Sequence, residues 1–296
     1  MKLRPSRQLR VDVSGYLFVL PQLLGLVLFV LAPLVLVVVY SFQDFNVLSG
    51  QADFTGVDNY RQLLTDPNMS SVLRATAVFS GVLVVFNIIV GLLLAVLLNQ
   101  RFAGTTLFRV LFFSPVVVST VAWTLVWDFL LQDNGGVNAL LQMAGMNGTN
   151  WLRSPSTAMA AVIAVQLLKG VGLNMVLFLS ALQGVPKDFH EAASLDGAGP
   201  IRRLVSITMP LISPTTLLVA ILSFISALQS FALISVLTQG GPGRSTTVLV
   251  YYLFQQAFQS HDFGYGSALA LLLFAIVLSL SLVQWQLRKK WVTYDV

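Results

Sequence analysis

Side chains able to do acid–base or metal chemistry are scarce in this sequence. It has one Glu (Glu191), two His (His190 and His261) and no Cys. Disulfides, thiolate metal sites and a Cys nucleophile are therefore excluded, and too little remains for a hydrolytic or metal centre. What the chain offers instead is uncharged hydrogen-bonding groups set inside apolar runs. Ser223, Ser226, Gln229 and Ser230 recur along one run at spacings that keep most of them on one helical face. Gln166, Lys169 and Asn174 lie within another. Hydroxyls and amides can hydrogen-bond an uncharged polar solute without burying a charge, and Phe224 or Phe231 can offer a stacking surface. Small polar residues also pack helix interfaces in membranes, so both roles stand open. Lys169 is the only Lys or Arg well inside a run. An ion pair, a snorkelling side chain and a pore-lining donor for an anionic solute are its three open roles. Gly170 and Gly172 beside it suit close helix packing.

The elements that must position these groups are membrane spans. Of 296 residues, 56% are hydrophobic and 10% charged, with a mean hydropathy of +0.81, which excludes a soluble domain. Apolar runs at about 15–42, 72–98, 107–131, 157–182, 213–238 and 263–287 each suffice to cross a hydrocarbon core of about 30 Å. The expected fold is all-α and integral to the membrane, with six transmembrane helices. Residues 1–14 form an N-terminal segment, 15–288 the membrane domain and 289–296 a tail. The first run is too long for a signal peptide and lacks a small-residue cleavage site. Pro33 and Pro115 predict kinks or bends in spans one and three. Trp123 and Trp127 fall toward the far end of span three, where interfacial aromatics are expected. Segments 43–70, 132–156 and 239–262 read as polar loops, and 99–106 as a tight basic turn.

Charge gives the orientation. Lys2, Arg4, Arg7, Arg10, Arg101, Arg109, Lys187, Arg202, Arg203, Arg288, Lys289 and Lys290 fall on one side of the predicted spans. Arg61, Arg74, Arg153 and Arg244 fall on the other. The positive-inside rule places both termini and the polar segment 185–212 in the cytoplasm. The pI near 9.7 is thus a matter of topology; no basic patch suggests nucleic acid.

The segment from Glu191 to Pro214, EAASLDGAGPIRRLVSITMPLISP, is too polar for lipid and too patterned for a linker. Glu191, Ala192 and Ala193 open a helix-prone run that reaches Asp196. Gly197 and Gly199 then allow a turn. Ile201, Leu204, Val205 and Ile207 mark the apolar face of a second helix, until Pro210 and Pro214 interrupt. A helix–turn–helix hairpin on a membrane surface is an object for another protein to grip.

Glu-Ala-Ala, then Gly197, Ile207 and Pro210 at their spacing, resemble the EAA loop of ABC importer permeases. The resemblance extends over most of the chain, weakest in the first span and loop, and points to the carbohydrate-uptake branch of the maltose permease type. Gly56–Tyr60 (GVDNY), Thr238–Pro242 (TQGGP), Phe263–Ala270 (FGYGSALA) and Trp291–Tyr294 (WVTY) each resemble segments of that branch. It implies that Glu191, Ala192, Ala193, Asp196, Gly197 and Pro210 couple to a cytoplasmic ATPase, and that positions 223, 227 and 230 (Ser223, Ala227, Ser230) lie at the sugar. The extra N-terminal helices and large external domain of the maltose type have no counterpart here, which sets maltose itself in question.

The resemblance further implies a bacterial inner-membrane permease working by alternating access. Its partners would be a second homologous permease, two ATPase subunits and an extracytoplasmic solute-binding protein. ATP and Mg would sit on the ATPase subunits, since this chain has no G-x-x-x-x-G-K-[ST] loop. A phosphorylated polyol such as glycerol 3-phosphate is the alternative cargo. An independent secondary transporter is a third possibility, opposed by the lack of clear repeats and intramembrane acids.

Overall fold

The computed structural model describes residues 7–46, 50–100 and 103–291, with side chains for 16–46, 50–100 and 103–286. Lys2, Arg4, Arg101 and tail residues 292–296 lie outside them. The first span is α1 (Arg7–Leu26), a π-helical stretch at Val27–Leu31, and α2 (Ala32–Tyr40). The kink expected at Pro33 takes the form of that π stretch, where the ladder widens just ahead of a residue with no N–H to donate.

The first polar loop is more ordered than a loop. Strands β1 (Gln43–Asn46) and β2 (Gln51–Phe54) pair antiparallel, followed by α3 (Asp58–Thr65). Then come α4 (Met69–Leu98), α5 (Thr105–Val117) and α6 (Thr120–Leu130). The second loop contains α7 (Gly136–Met143), and α8 (Ala158–Gly184) is the fourth span. The polar segment forms α9 (Lys187–Leu195), α10 (Pro200–Arg203), a π turn at Leu204–Thr208 and α11 (Met209–Leu211). After it run α12 (Ser213–Leu228), α13 (Phe231–Leu237), α14 (Leu249–Phe254), a π turn at Gln255–Gln259 and α15 (Phe263–Trp291).

Among the described residues, four helical stretches are long and apolar enough to cross a membrane unbroken: Tyr16–Tyr40, Met69–Leu98, Ala158–Gly184 and Phe263–Gln286. Two bent pairs raise the number to six: α5 with α6, at 104°, and Pro200–Leu211 with α12, at 72°. The six-span, all-α membrane fold therefore holds, with two corrections. Span three is not one helix bent at Pro115 but two helices broken at Val118–Ser119, both in extended backbone. Span five is not continuous over 213–238, because α12 ends at Leu228. Pro214 does not interrupt a helix; it sits in the first turn of α12, where its missing N–H costs nothing, whereas Pro210 lies next to the end of the helical stretch Pro200–Leu211, directly after the π turn.

Contacts divide the chain into two units, Met1–Asp66 with Leu253–Leu272, and Pro67–Tyr252 with Leu273–Val296. In the first, GVDNY works as a latch on the end of span one. Gly56 takes φ +64° to turn the chain, and the Asn59 amide donates to the carbonyls of Ser41 (3.0 Å) and Gln43 (2.9 Å). Tyr60 Oη lies 2.7 Å from Ser41 Oγ. FGYGSALA fits the same unit by close approach. A Cβ on Gly264 would meet the Gln43 carbonyl oxygen at 2.1 Å, and buried Tyr265 donates its hydroxyl to Asp66 at 2.7 Å.

The second unit is cored by α4, α8 and α12, with Ala95, Leu98, Met175, Phe178, Leu179, Ile212 and Val219 buried together. TQGGP is a turn tied by hydroxyls. Thr238 and Thr246 meet at 2.7 Å, Thr246 donates to the Gly241 carbonyl at 2.8 Å and Thr247 to that of Gly240 at 2.8 Å. Asn138 of α7 holds the second loop, donating to Asp133 and Thr149 carbonyls and accepting from Thr149 N–H and Trp151 Nε1 at 2.9–3.0 Å.

Candidate functional site: a polar cavity at two helix breaks, and an exposed hairpin

The breaks in spans three and five face one cavity. It measures about 250 Å³ and is lined by Thr120, Gln166, Ser226, Gln229, Ser230, Ala232 and Leu233. Unwound backbone at membrane depth is tolerated only where it is buried in protein or lines a cavity, and here two such points coincide. Gln166 Nε2 lies 3.4 Å from Ser226 Oγ, and Ser230 donates to the Ser226 carbonyl at 2.8 Å. Gln166 Oε1 is buried without a partner among the described residues. Thr120 is the first residue of α6; sequence inspection missed it, because a lone Thr in an apolar run is marked only by the break it follows.

The structure divides the eight residues proposed from sequence. Gln166, Ser226, Gln229 and Ser230 share the cavity. Ser223 and Ala227 are buried one turn away and do not line it; the Ser223 hydroxyl is unpartnered. Asn174 packs between α8 and α4, its Cβ 3.1 Å from where a Cβ on Gly91 would stand. Phe231 stacks on Tyr251 with centroids 6.1 Å apart.

Lys169 has a different occupation. Its Nζ donates to the carbonyl oxygens of Val118 (2.6 Å) and Pro115 (3.3 Å), at the broken end of α5. A cation there meets the negative end of the helix dipole and satisfies carbonyls the break leaves open. The Trp123 indole N–H donates to the Val165 carbonyl at 3.1 Å. Gly172 does serve close packing, since a Cβ there would lie 2.0 Å from the Phe112 carbonyl oxygen.

The hairpin is exposed and firmly capped. Gly197 takes φ +72°, and the N–H groups of Gly197 and Ala198 return to the carbonyls of Ser194 (3.1 Å) and Ala193 (2.9 Å). Those two bonds are a Schellman cap, which closes α9 with a left-handed residue. Arg203 Nη1 donates to Ser194 Oγ at 2.9 Å, tying the second helix to the first. Glu191, Ala192 and Asp196 are exposed and Ala193 is buried. Leu195 and Ile201 stand 90% and 77% exposed beside them, so the hairpin displays apolar side chains and carboxylates together. Pro210 is exposed in α11.

The model of the binding-protein-dependent transport system inner membrane component family matches residues 87–290. The chain belongs to that family. As a member it is a multi-pass ABC permease, the transport component of its system. A multiple sugar-binding transport permease, MsmF of Streptococcus mutans, is 34% identical over 278 residues, 93% of this chain and 95% of that protein. The sn-glycerol-3-phosphate transport permease UgpA of Pectobacterium atrosepticum is 30% identical over 283 residues, 95% of each. The trehalose/maltose permease MalF of Thermococcus litoralis is 33% identical over 270 residues, 91% of each. In fold, the permease resembles a chain of a bacterial alginate ABC transporter crystallised with an alginate-bound periplasmic protein. The TM-score is 0.85 at 20% identity, covering 99% of this chain and 100% of that one.

Proposed function

We propose that this permease forms half of the path for a neutral carbohydrate in an ATP-driven, binding-protein-dependent importer. A second homologous permease completes the path. The solute-binding protein delivers cargo from outside, and one of two cytoplasmic ATPase subunits grips the 187–211 hairpin through Glu191, Asp196, Leu195 and Ile201. ATP and Mg belong to those subunits. The termini and hairpin face the cytoplasm, as the Lys/Arg asymmetry requires. The cavity carries the cargo assignment: its polar groups are the hydroxyls and amides of Thr120, Gln166, Ser226, Gln229 and Ser230, and Lys169 is engaged with backbone. Such a lining matches sugar hydroxyls. Relatives named for sugars are consistent with it.

Glycerol 3-phosphate is the competing cargo, favoured by UgpA at similar identity and by the N-terminus of α6 at the cavity. Uptake by the reconstituted complex decides between them. Neutral oligosaccharide uptake that excess glycerol 3-phosphate does not inhibit supports the carbohydrate reading; the reverse pattern refutes it.

A further inference from the structure

Among the contacts between the bent third span and α8, three come from one stripe of that helix. Val165 accepts the Trp123 indole N–H of α6 through its carbonyl at 3.1 Å. Lys169 clasps Pro115 and Val118 at the elbow. Gly172 lets the Phe112 backbone of α5 approach to where its own Cβ would be. Positions 165, 169 and 172 are spaced i, i+4 and i+7, one face of a helix. Elements held in direct contact transmit displacement rather than absorb it. At its other end α8 meets α9 through only Val185 and Pro186.

We propose that Lys169 is the positioning residue that fuses span three to span four, so that motion of the hairpin reaches the cavity through the elbow. The route runs from α9 through α8 and the Lys169 clasp to the first turn of α6, where Thr120 lines the cavity. Lys169 touches no cargo on this account. It sets where Thr120 stands relative to Gln166 and Ser226 and makes both spans turn together. The proposal rests on the importer reading above.

The chain has no Cys, so paired labels can be introduced without background from this subunit, the partner subunits being used in cysteine-free form. V126C on α6 and V176C on α8, both at exposed positions, are spin-labelled in the assembled, reconstituted complex. The inter-label distance is expected to be the same in nucleotide-free and ATP-trapped states. In K169M, cargo taken up per ATP hydrolysed should fall about tenfold, within the range usual for coupling between two sites, and the distance distribution should broaden. K169R, which keeps a permanent cationic N–H donor, should restore both.

A wild-type distance that changes on ATP binding overturns the proposal, as does unchanged uptake per ATP in K169M. So does a K169M effect confined to the KM of an anionic cargo, which would make Lys169 a ligand. If K169M fails to assemble, the wild-type distance and K169R decide. A wild-type complex without ATP-driven uptake instead overturns the importer reading, while the label distance still reports on the clasp.

Discussion

At the scale of single residues, the cavity's amides and hydroxyls should act on affinity rather than coupling. One hydrogen bond to a ligand contributes about 1 kcal/mol net, so Ser226→Ala should raise the KM for uptake several-fold and leave ATP consumed per sugar unchanged. Gln166→Leu should do the same and more, since it removes the amide that reaches Ser226. Asp262 offers a pH signature in the other unit. Burial raises its carboxyl above the ordinary range, Asp44 adds to this, and the hydrogen bond from Tyr265 N–H opposes it. The folded state then holds the proton more tightly than the unfolded one. Its contribution to stability is greatest in acid and is lost as pH rises from the ordinary Asp value through the raised one. Asp262→Asn, which still accepts from Tyr265, should flatten that part of the pH profile of thermal unfolding.

At the scale of elements, caps and close approaches decide what moves as one piece. Gly197→Ala places a Cβ on a left-handed residue and should cost the hairpin about 1 kcal/mol. Gly197→Pro also removes the N–H given to Ser194. ATPase subunits should co-purify with the wild type and be lost with Gly197→Pro. Glu191→Ala, which leaves the fold intact at an exposed site, should lower only binding-protein-stimulated hydrolysis. Asn138 plays the corresponding part in the second loop. Asn138→Ala strips several buried bonds and should lower stability by about 2–4 kcal/mol, read as earlier thermal unfolding. The hairpin was legible in sequence because helix formers, Gly and Pro signal locally. Helix α7 and the β1–β2 hairpin were not, since short polar segments owe their order to partners such as Asn138 and Asn59 rather than to periodicity.

At the scale of the whole molecule, the family match, the span count and the charge asymmetry describe a membrane subunit whose work requires partners. Along Tyr16–Tyr40 the apolar window is not buried within the chain, and lipid-facing apolar surface is the ordinary condition of a membrane helix. The assembled complex is therefore the object to measure. Expressed with its neighbouring subunits, the chain should sustain uptake only with ATP and the binding protein present. Uptake driven by an ion gradient on the chain alone would remove the importer reading.

The sequence by itself determined the membrane class, the spans, the hairpin and the family, because hydropathy, Lys/Arg placement and Gly/Pro punctuation are written residue by residue. Tertiary structure alone decided where spans three and five break and which polar residues meet there. Periodicity reports the face a residue occupies on a continuous helix, and it carries no information once the helix ends at Val117 or Leu228. The hydrogen-bond partners of Lys169 were decided the same way. A cation in an apolar run has several possible partners, and only the elbow of span three, brought across from another helix, selects the carbonyls of Pro115 and Val118.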